Sequence, residues 1–338
     1  MRAFIIRRLF LSAVAVLGVA VITFVVARLV PADPAARWVG PHATAEQIAR
    51  ARVELGLDQP LWRQLITHMA ALAVGDWGRS IITHQPVIRD IAAHLPTSLV
   101  LVAAGTLLAV ALGIPLGVVS AAARNRWPDH LSRALAIGLV SIPTFWLAMI
   151  LQLWLGQGAG LLPIAGQVDT VLSLLSPVPR VTGALVVDSL LAGRFDVFRS
   201  ALAHLVMPAL TVAAYPLGLI TRMVRSSMME VLSEDYVRTA RAYGVAERRI
   251  LYRHALRNAM GPTLTVIALS LGYALTGTFL VEAVFAWPGL GRYAANAVIG
   301  GDFPAIVGVT VVVALAYVLL NLVVDLAQAA LDPRVRYD

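Results

Sequence analysis

Apolar residues gather along this chain into six long runs, at about Leu9–Leu29, Ser98–Val119, Ala134–Leu155, Ala201–Ile220, Met260–Val284 and Ala305–Ala330. Each reaches the roughly 20 residues that a helix needs to cross the hydrocarbon core of a bilayer. The pattern therefore predicts an all-α, polytopic membrane protein with six transmembrane helices. Residues 1–30 form an N-terminal end and first span, 31–96 an extracytoplasmic region, and 97–338 a core of five further spans. Within that core, an outward loop covers about 156–200 and a charged loop about 222–259. Val30-Pro31-Ala32 loosely resembles a small-residue cleavage site. The run before it, about 21 residues, exceeds the usual apolar core of a signal peptide, so a retained span is expected.

Polar and turn-forming residues divide the rest. Asp58 before Pro60 reads as a turn or helix start, and Gly75-Asp76 and Pro288-Gly289 read as turns. The two large outward regions read either as loops with short interfacial helices or as a docking surface. Pro115, Pro143, Pro208 and Pro216 lie inside spans, where each removes a backbone donor and favours a kink. Such a kink either shapes a path or serves helix packing. Gly113 and Gly117, four apart, permit close helix approach.

Charge fixes the expected orientation. All 27 basic residues are Arg. Sixteen of them, against seven acidic residues, fall on the side of the termini and of the loops after spans two and four. The opposite side holds eleven of each sign. The Arg-rich side is expected to be cytoplasmic, with both termini inside. The net charge of +8 thus reflects membrane topology and gives no argument for nucleic-acid binding.

Several chemistries are excluded or unsupported. With no Cys, there is no disulfide, thiol catalysis or Cys-ligated metal. With no Lys, there is no Walker A loop and no Schiff base. The seven His are scattered without an H-E-x-x-H, and no G-x-S-x-G occurs. No catalytic residue, cofactor site or metal site is expected. The spans also carry almost no charge at mid-depth: Arg28, Glu282 and Asp325 sit near ends. A proton- or ion-coupled transporter keeps ionisable groups there, so energy is expected to enter from elsewhere. Tyr215, Ser270, Tyr273 and Thr276 are polar groups within spans, either facing a hydrated path or satisfied between helices.

The most distinctive segment is Glu234–Asn258, EDYVRTARAYGVAERRILYRHALRN, lying between the fourth and fifth spans. Ser233 is expected to cap a helix running to about Tyr243, with Glu234 and Asp235 in its first turn. Gly244 fits a left-handed terminator. A second helix starts near Ala246–Glu247 and heads for the fifth span. Small residues Thr239, Ala240 and Ala242 leave the first helix slim enough for a groove on another protein. The alternative is a basic helix lying on anionic lipid.

Tyr236–Gly244, YVRTARAYG, with Leu256 downstream, resembles the EAA loop of bacterial ABC-importer permeases. Thr239-Ala240-x-x-x-Gly244 and Leu256 fit its frame; Arg238 and Arg257 depart from the general motif as the peptide-importer branch does, and Tyr243 replaces that branch's usual Lys. LGLDQP, GDWG, Gly113-Ile114-Pro115, Ser141-Ile142-Pro143, RSSMMEVLSEDY, WPGLGR and NLVVDLAQAALDPRVR extend the resemblance over nearly the whole chain, and RVTGALVVDSLLAGRFD is most similar to the dipeptide type. The resemblance is to inner-membrane permeases of dipeptide and oligopeptide importers, with nickel and glutathione importers sharing the frame; the alternative is a permease for nickel, glutathione or haem. It implies a type I importer half in the bacterial plasma membrane. Its partners would be a second homologous permease, two ABC ATPases that bind ATP and Mg, an extracytoplasmic solute-binding protein and the peptide. It further implies coupling to the ATPases through Tyr236, Arg238, Thr239, Ala240, Arg241, Gly244, Leu256 and Arg257, with Arg241 a candidate ion pair to the ATPase. Rival readings are a secondary transporter or channel that needs no ATPase, and a membrane-spanning scaffold or sensor.

Overall fold

The computed structural model describes residues 2–29, 34–40 and 42–331, without the side chains of 2–6, 9, 27, 29, 275, 276 and 323–331. Arg334 and Arg336 lie outside the described residues. Among the described residues, secondary structure is helical apart from one isolated bridge, Arg79 to Pro86. The helices are α1 (Arg2–Leu29), α2 (Pro34–Val39), α3 (Ala45–Glu54), α4 (Leu61–Ala73), α5 (Val87–Ala122), α6 (Trp127–Ser141) and α7 (Thr144–Leu151). There follow α8 (Thr170–Leu175), α9 (Leu185–Leu191), α10 (Phe195–Val231), α11 (Asp235–Ala242), α12 (Glu247–Arg249), α13 (Leu256–Val284), α14 (Leu290–Gly300) and α15 (Phe303–Leu331). Wider π-helical turns occupy Gln152–Gly158 and Ile250–Ala255.

By length and composition, Val87–Ala122, Phe195–Val231 and Phe303–Leu322 suffice to cross a membrane. Among the described residues, two bent pairs, Trp127–Ser141 with Thr144–Gly158 and Glu247–Ala274 with Gly277–Val284, raise the number to five if each pair is one span. The first expected span is apolar over the shorter Phe10–Val26. The third expected span is not a straight rod: it turns through 106° between its halves. Ile142 before Pro143 is extended, at φ −81° and ψ 126°, because the proline ring disfavours helical backbone in the residue ahead of it. Pro208 and Pro216 behave differently. Both are buried within the continuous α10, where packing holds the helix together.

The chain divides into two compact units. One comprises the residues up to Pro96 with Pro288–Leu319. Its core joins Val87, Ile91, Leu290, Tyr293, Ala305 and Val309. Three hydrogen bonds tie polar groups together there: Thr83 Oγ1 donates to Asp90 at 2.5 Å, Tyr293 donates to Asp90 at 3.2 Å, and Ser80 donates to Asp302. Burial and the nearby Asp90 and Asp302 charges push the Tyr293 phenol far above its ordinary range.

The other unit centres on Thr97–Trp287, with α10 packed against α6, α7, α9 and α13. Glycine permits the closest approaches. A Cβ at Gly117 would lie 2.6 Å from Val224, and one at Gly113 3.0 Å from Ile220, so the α5 glycines seat α10 as their spacing suggested. Gly218 does the same from α10, where a Cβ would meet Ala136 O at 2.5 Å. At the end of α13, the fully buried Glu282 accepts from Ser98 Oγ at 2.6 Å, and Trp287 donates to Thr97 O at 3.2 Å. In the segment between α7 and α10, buried Asp188 accepts from Thr182 N, Thr182 Oγ1 and Gly183 N at 2.7, 2.7 and 3.0 Å. Burial opposes ionisation of this carboxyl, but those donors outweigh it and hold the group below its usual range.

Candidate functional site

The loop after α10 builds a short helix closed by glycine. Ser233 does not cap α11: its Oγ donates back to Glu230 O at 2.6 Å, finishing α10. Glu234 takes the N-cap position with extended backbone and no side-chain cap bond. At the other end Gly244 has φ +73°, as expected for a left-handed terminator. Val245 N donates to Ala240 O at 3.1 Å and Gly244 N to Arg241 O at 3.0 Å. This is the Schellman pairing, which satisfies carbonyls that the helix end leaves free. The chain then turns into α12 and the π-helical turn, and runs on into α13.

One face of α11 anchors it and the other is open. Val237 and Ile250 are fully buried, and α11 packs on the Ile250–Ala255 turn. Tyr236 OH accepts from Asn258 Nδ2 at 2.7 Å, tying the helix to α13. Half-buried Leu256 packs into the core formed by Val224, Met228, Ala255 and Ala259. Arg238, Thr239, Arg241, Tyr243 and Arg257 are exposed, and Ala240 is partly so. Thr239 Oγ1 donates to Asp235 O at 2.9 Å, and Arg238 pairs with Asp235 at 3.1 Å. Thus the anchoring side chains are Val237 and Leu256, while the others present a small, basic surface. The burial of Val237 was readable only as one apolar position in a polar helix.

Arg241 is engaged within the chain. Its guanidinium grips Glu247 across the Gly244 turn, at 2.7 and 3.2 Å. Hydrogen bonding from Arg241 holds the Glu247 carboxyl below its ordinary range. Both side chains remain about half exposed, so the pair adds little stability.

A second feature behind this loop escaped the sequence entirely. Asp129, at the start of α6, is fully buried. It accepts from Arg225 at 2.6 and 2.9 Å, from Ser120 Oγ at 2.7 Å and from Asn125 N at 2.9 Å. Hydrogen bonding from Arg225 outweighs burial and holds this carboxyl well below the usual Asp range. The pair fastens α6 to α10 ten residues before α11 begins.

Three of the four in-span polar residues meet. The rings of Tyr215 and Tyr273 pack at a tilt of 30° with centroids 4.6 Å apart, and both line a cavity of about 540 Å³ with Ser270 and Arg222. The side chain of Thr276, expected with them, lies outside the described residues. Among the described residues, no group of three His, Asp or Glu could hold a metal ion.

The chain matches the family of binding-protein-dependent transport system inner membrane components over residues 113–337. It also matches the N-terminal component of such membrane proteins over residues 1–102. The probable D,D-dipeptide transport system permease protein DdpB of Escherichia coli (strain K12) is 46% identical over 95% of this chain and 93% of that protein. The dipeptide transport system permease protein DppB of the same organism is 38% identical over 100% of this chain and 99% of that one. Among solved structures, a chain of the MetNI methionine ABC transporter, in an inward-facing conformation, shares the fold. The TM-score is 0.56 at 17% identity, covering 73% of this chain and 99% of that one. These matches, with the all-helical fold and its apolar spans, place the chain in the binding-protein-dependent transport family as an inner-membrane component.

Proposed function

We propose that this chain is the permease subunit of an ATP-driven importer that carries di- and oligopeptides across the inner membrane. It works with a second permease, two ATPase subunits that bind ATP and Mg, and an extracytoplasmic peptide-binding protein. Both termini and the α11 loop face the cytoplasm in this reading, which the excess of Arg on that side supports. The peptide substrate is carried over from the dipeptide permeases that the chain resembles along its length.

The observation that carries this reading is α11 itself: a slim helix with one buried anchor, a glycine-closed end and an exposed basic face. Such a helix enters a groove on a partner. Closure of the ATPases then moves α11. Because α11 is packed on the turn that opens α13, the displacement passes to the spans. Ligands at either end bias pre-existing states through unequal affinity for them. This chain transmits work and shapes a path; bond chemistry belongs to its partners.

Reconstitution tests the reading. Vesicles holding the complete assembly and its binding protein should accumulate Ala-Ala only with Mg and ATP. Accumulation by this chain alone, without nucleotide, would establish a secondary transporter instead.

A further inference from the structure

The cavity between α10 and α13 has an unusual chemical balance. Its α10 wall includes Tyr215, Arg222 and Ser226, and its α13 wall includes Ser270 and Tyr273, with apolar side chains between them. Positions 215, 222 and 226 recur at helical spacing and so form one stripe. Arg222 is the one charged residue in the lining, and it forms no ion pair among the described residues. Ser270 is 3% exposed, yet its hydroxyl has no hydrogen-bond partner. A buried hydroxyl left this way is costly unless something else satisfies it.

From these observations we infer that the cavity is a holding site for the two ends and backbone of a short zwitterionic peptide. This rests on the transport reading above and adds the residues that would recognise the cargo. Arg222 offers a planar fork that suits a terminal carboxylate. The half-exposed Tyr273, whose ring packs on Tyr215, offers an aromatic face that suits an ammonium group. Seven residues separate Tyr215 from Arg222 along α10, or about 10 Å at the helical rise. An extended dipeptide spans roughly 7 Å and a tripeptide roughly 10 Å. The orphan Ser270 hydroxyl falls where a peptide bond would pass. No lining residue selects a side chain by charge, so recognition is of the backbone termini, whatever the peptide sequence.

The lack of cysteine in this chain supplies the test. Ser270→Cys, in the purified complete transporter, is treated with N-ethylmaleimide and modification at position 270 is followed by peptide mass spectrometry. Ala-Ala at ten millimolar should slow the reaction about tenfold, the protection expected of a site with a Kd near one millimolar. Ala-Ala carrying a C-terminal amide should protect far less. Adding Arg222→Gln should remove protection by Ala-Ala, and Arg222→Lys should restore part of it. Equal protection by the acid and the amide would overturn the proposal without recourse to any Arg222 variant. So would absence of protection, or a position 270 that never reacts. The same preparation is assayed for ATP-driven uptake of Ala-Ala. Uptake without protection refutes the holding site alone; no uptake by the unmodified complete transporter refutes the transport reading.

Discussion

Replacing Gly244 with valine is expected to stop uptake while leaving the protein inserted and assembled. The residue sits at φ +73°, and an added Cβ would meet nothing within 4 Å. The damage is therefore conformational, with no steric clash behind it. A left-handed residue other than glycine costs about 1–2 kcal/mol, and a β-branched one is worse. Some 2 kcal/mol against the Schellman turn lowers the population of the correctly bent loop about thirtyfold. Asparagine tolerates this backbone region, so Gly244→Asn should keep uptake within about threefold of the parent. Comparing transport with ATP hydrolysis in the two variants checks the argument. Gly244→Val should hydrolyse ATP with little transport. Equal transport by both variants would show that the turn carries no coupling.

The second large effect concerns Asp129. Asp129→Ala removes the acceptor for Arg225, Ser120 and Asn125 at once. Arg225→Ala leaves a carboxylate buried without its counter-charge. Breaking a buried pair from one side costs about 3–5 kcal/mol, whereas replacing both members by apolar residues of similar volume is often close to neutral. Each single variant should therefore lower the thermal midpoint of the purified protein markedly. Asp129→Leu combined with Arg225→Met should recover most of the loss. The pH dependence has a definite sign. The folded carboxyl titrates below its unfolded value, so the stabilisation is fully present above about pH 4. It disappears as pH falls through the lowered folded pKa. Melting curves from pH 7 downward should show this loss in the parent and not in the double variant.

These two sites differ in how far they could be read from the chain. Gly244 announces itself locally: a glycine ends a short amphiphilic run, and the left-handed turn follows. Pro143 is equally local, although the sequence predicts only a bend and the structure turns through 106°. The Asp129–Arg225 pair is invisible because its members are 96 residues apart and each reads as an ordinary charge beside a span. Arg241 is an intermediate case. Its partner Glu247 is only six positions on, but the pairing depends on a turn that brings the two together. Ser233 misled for the opposite reason: two helices compete for one hydroxyl, and the end of α10 takes it. Tyr215 and Tyr273 were recognisable as polar groups within spans. Their ring contact required knowing how α10 and α13 pack.

The central claim is that α11 is held by a nucleotide-hydrolysing partner. A cysteine at the exposed position of Thr239, in this chain otherwise free of cysteine, gives the most direct test. In the assembled transporter, a short thiol-to-amine cross-linker at that position should capture an ATPase subunit, with a yield that changes when ATP is added. Capture of lipid amines alone, with no ATPase joined in any nucleotide state, would contradict the account.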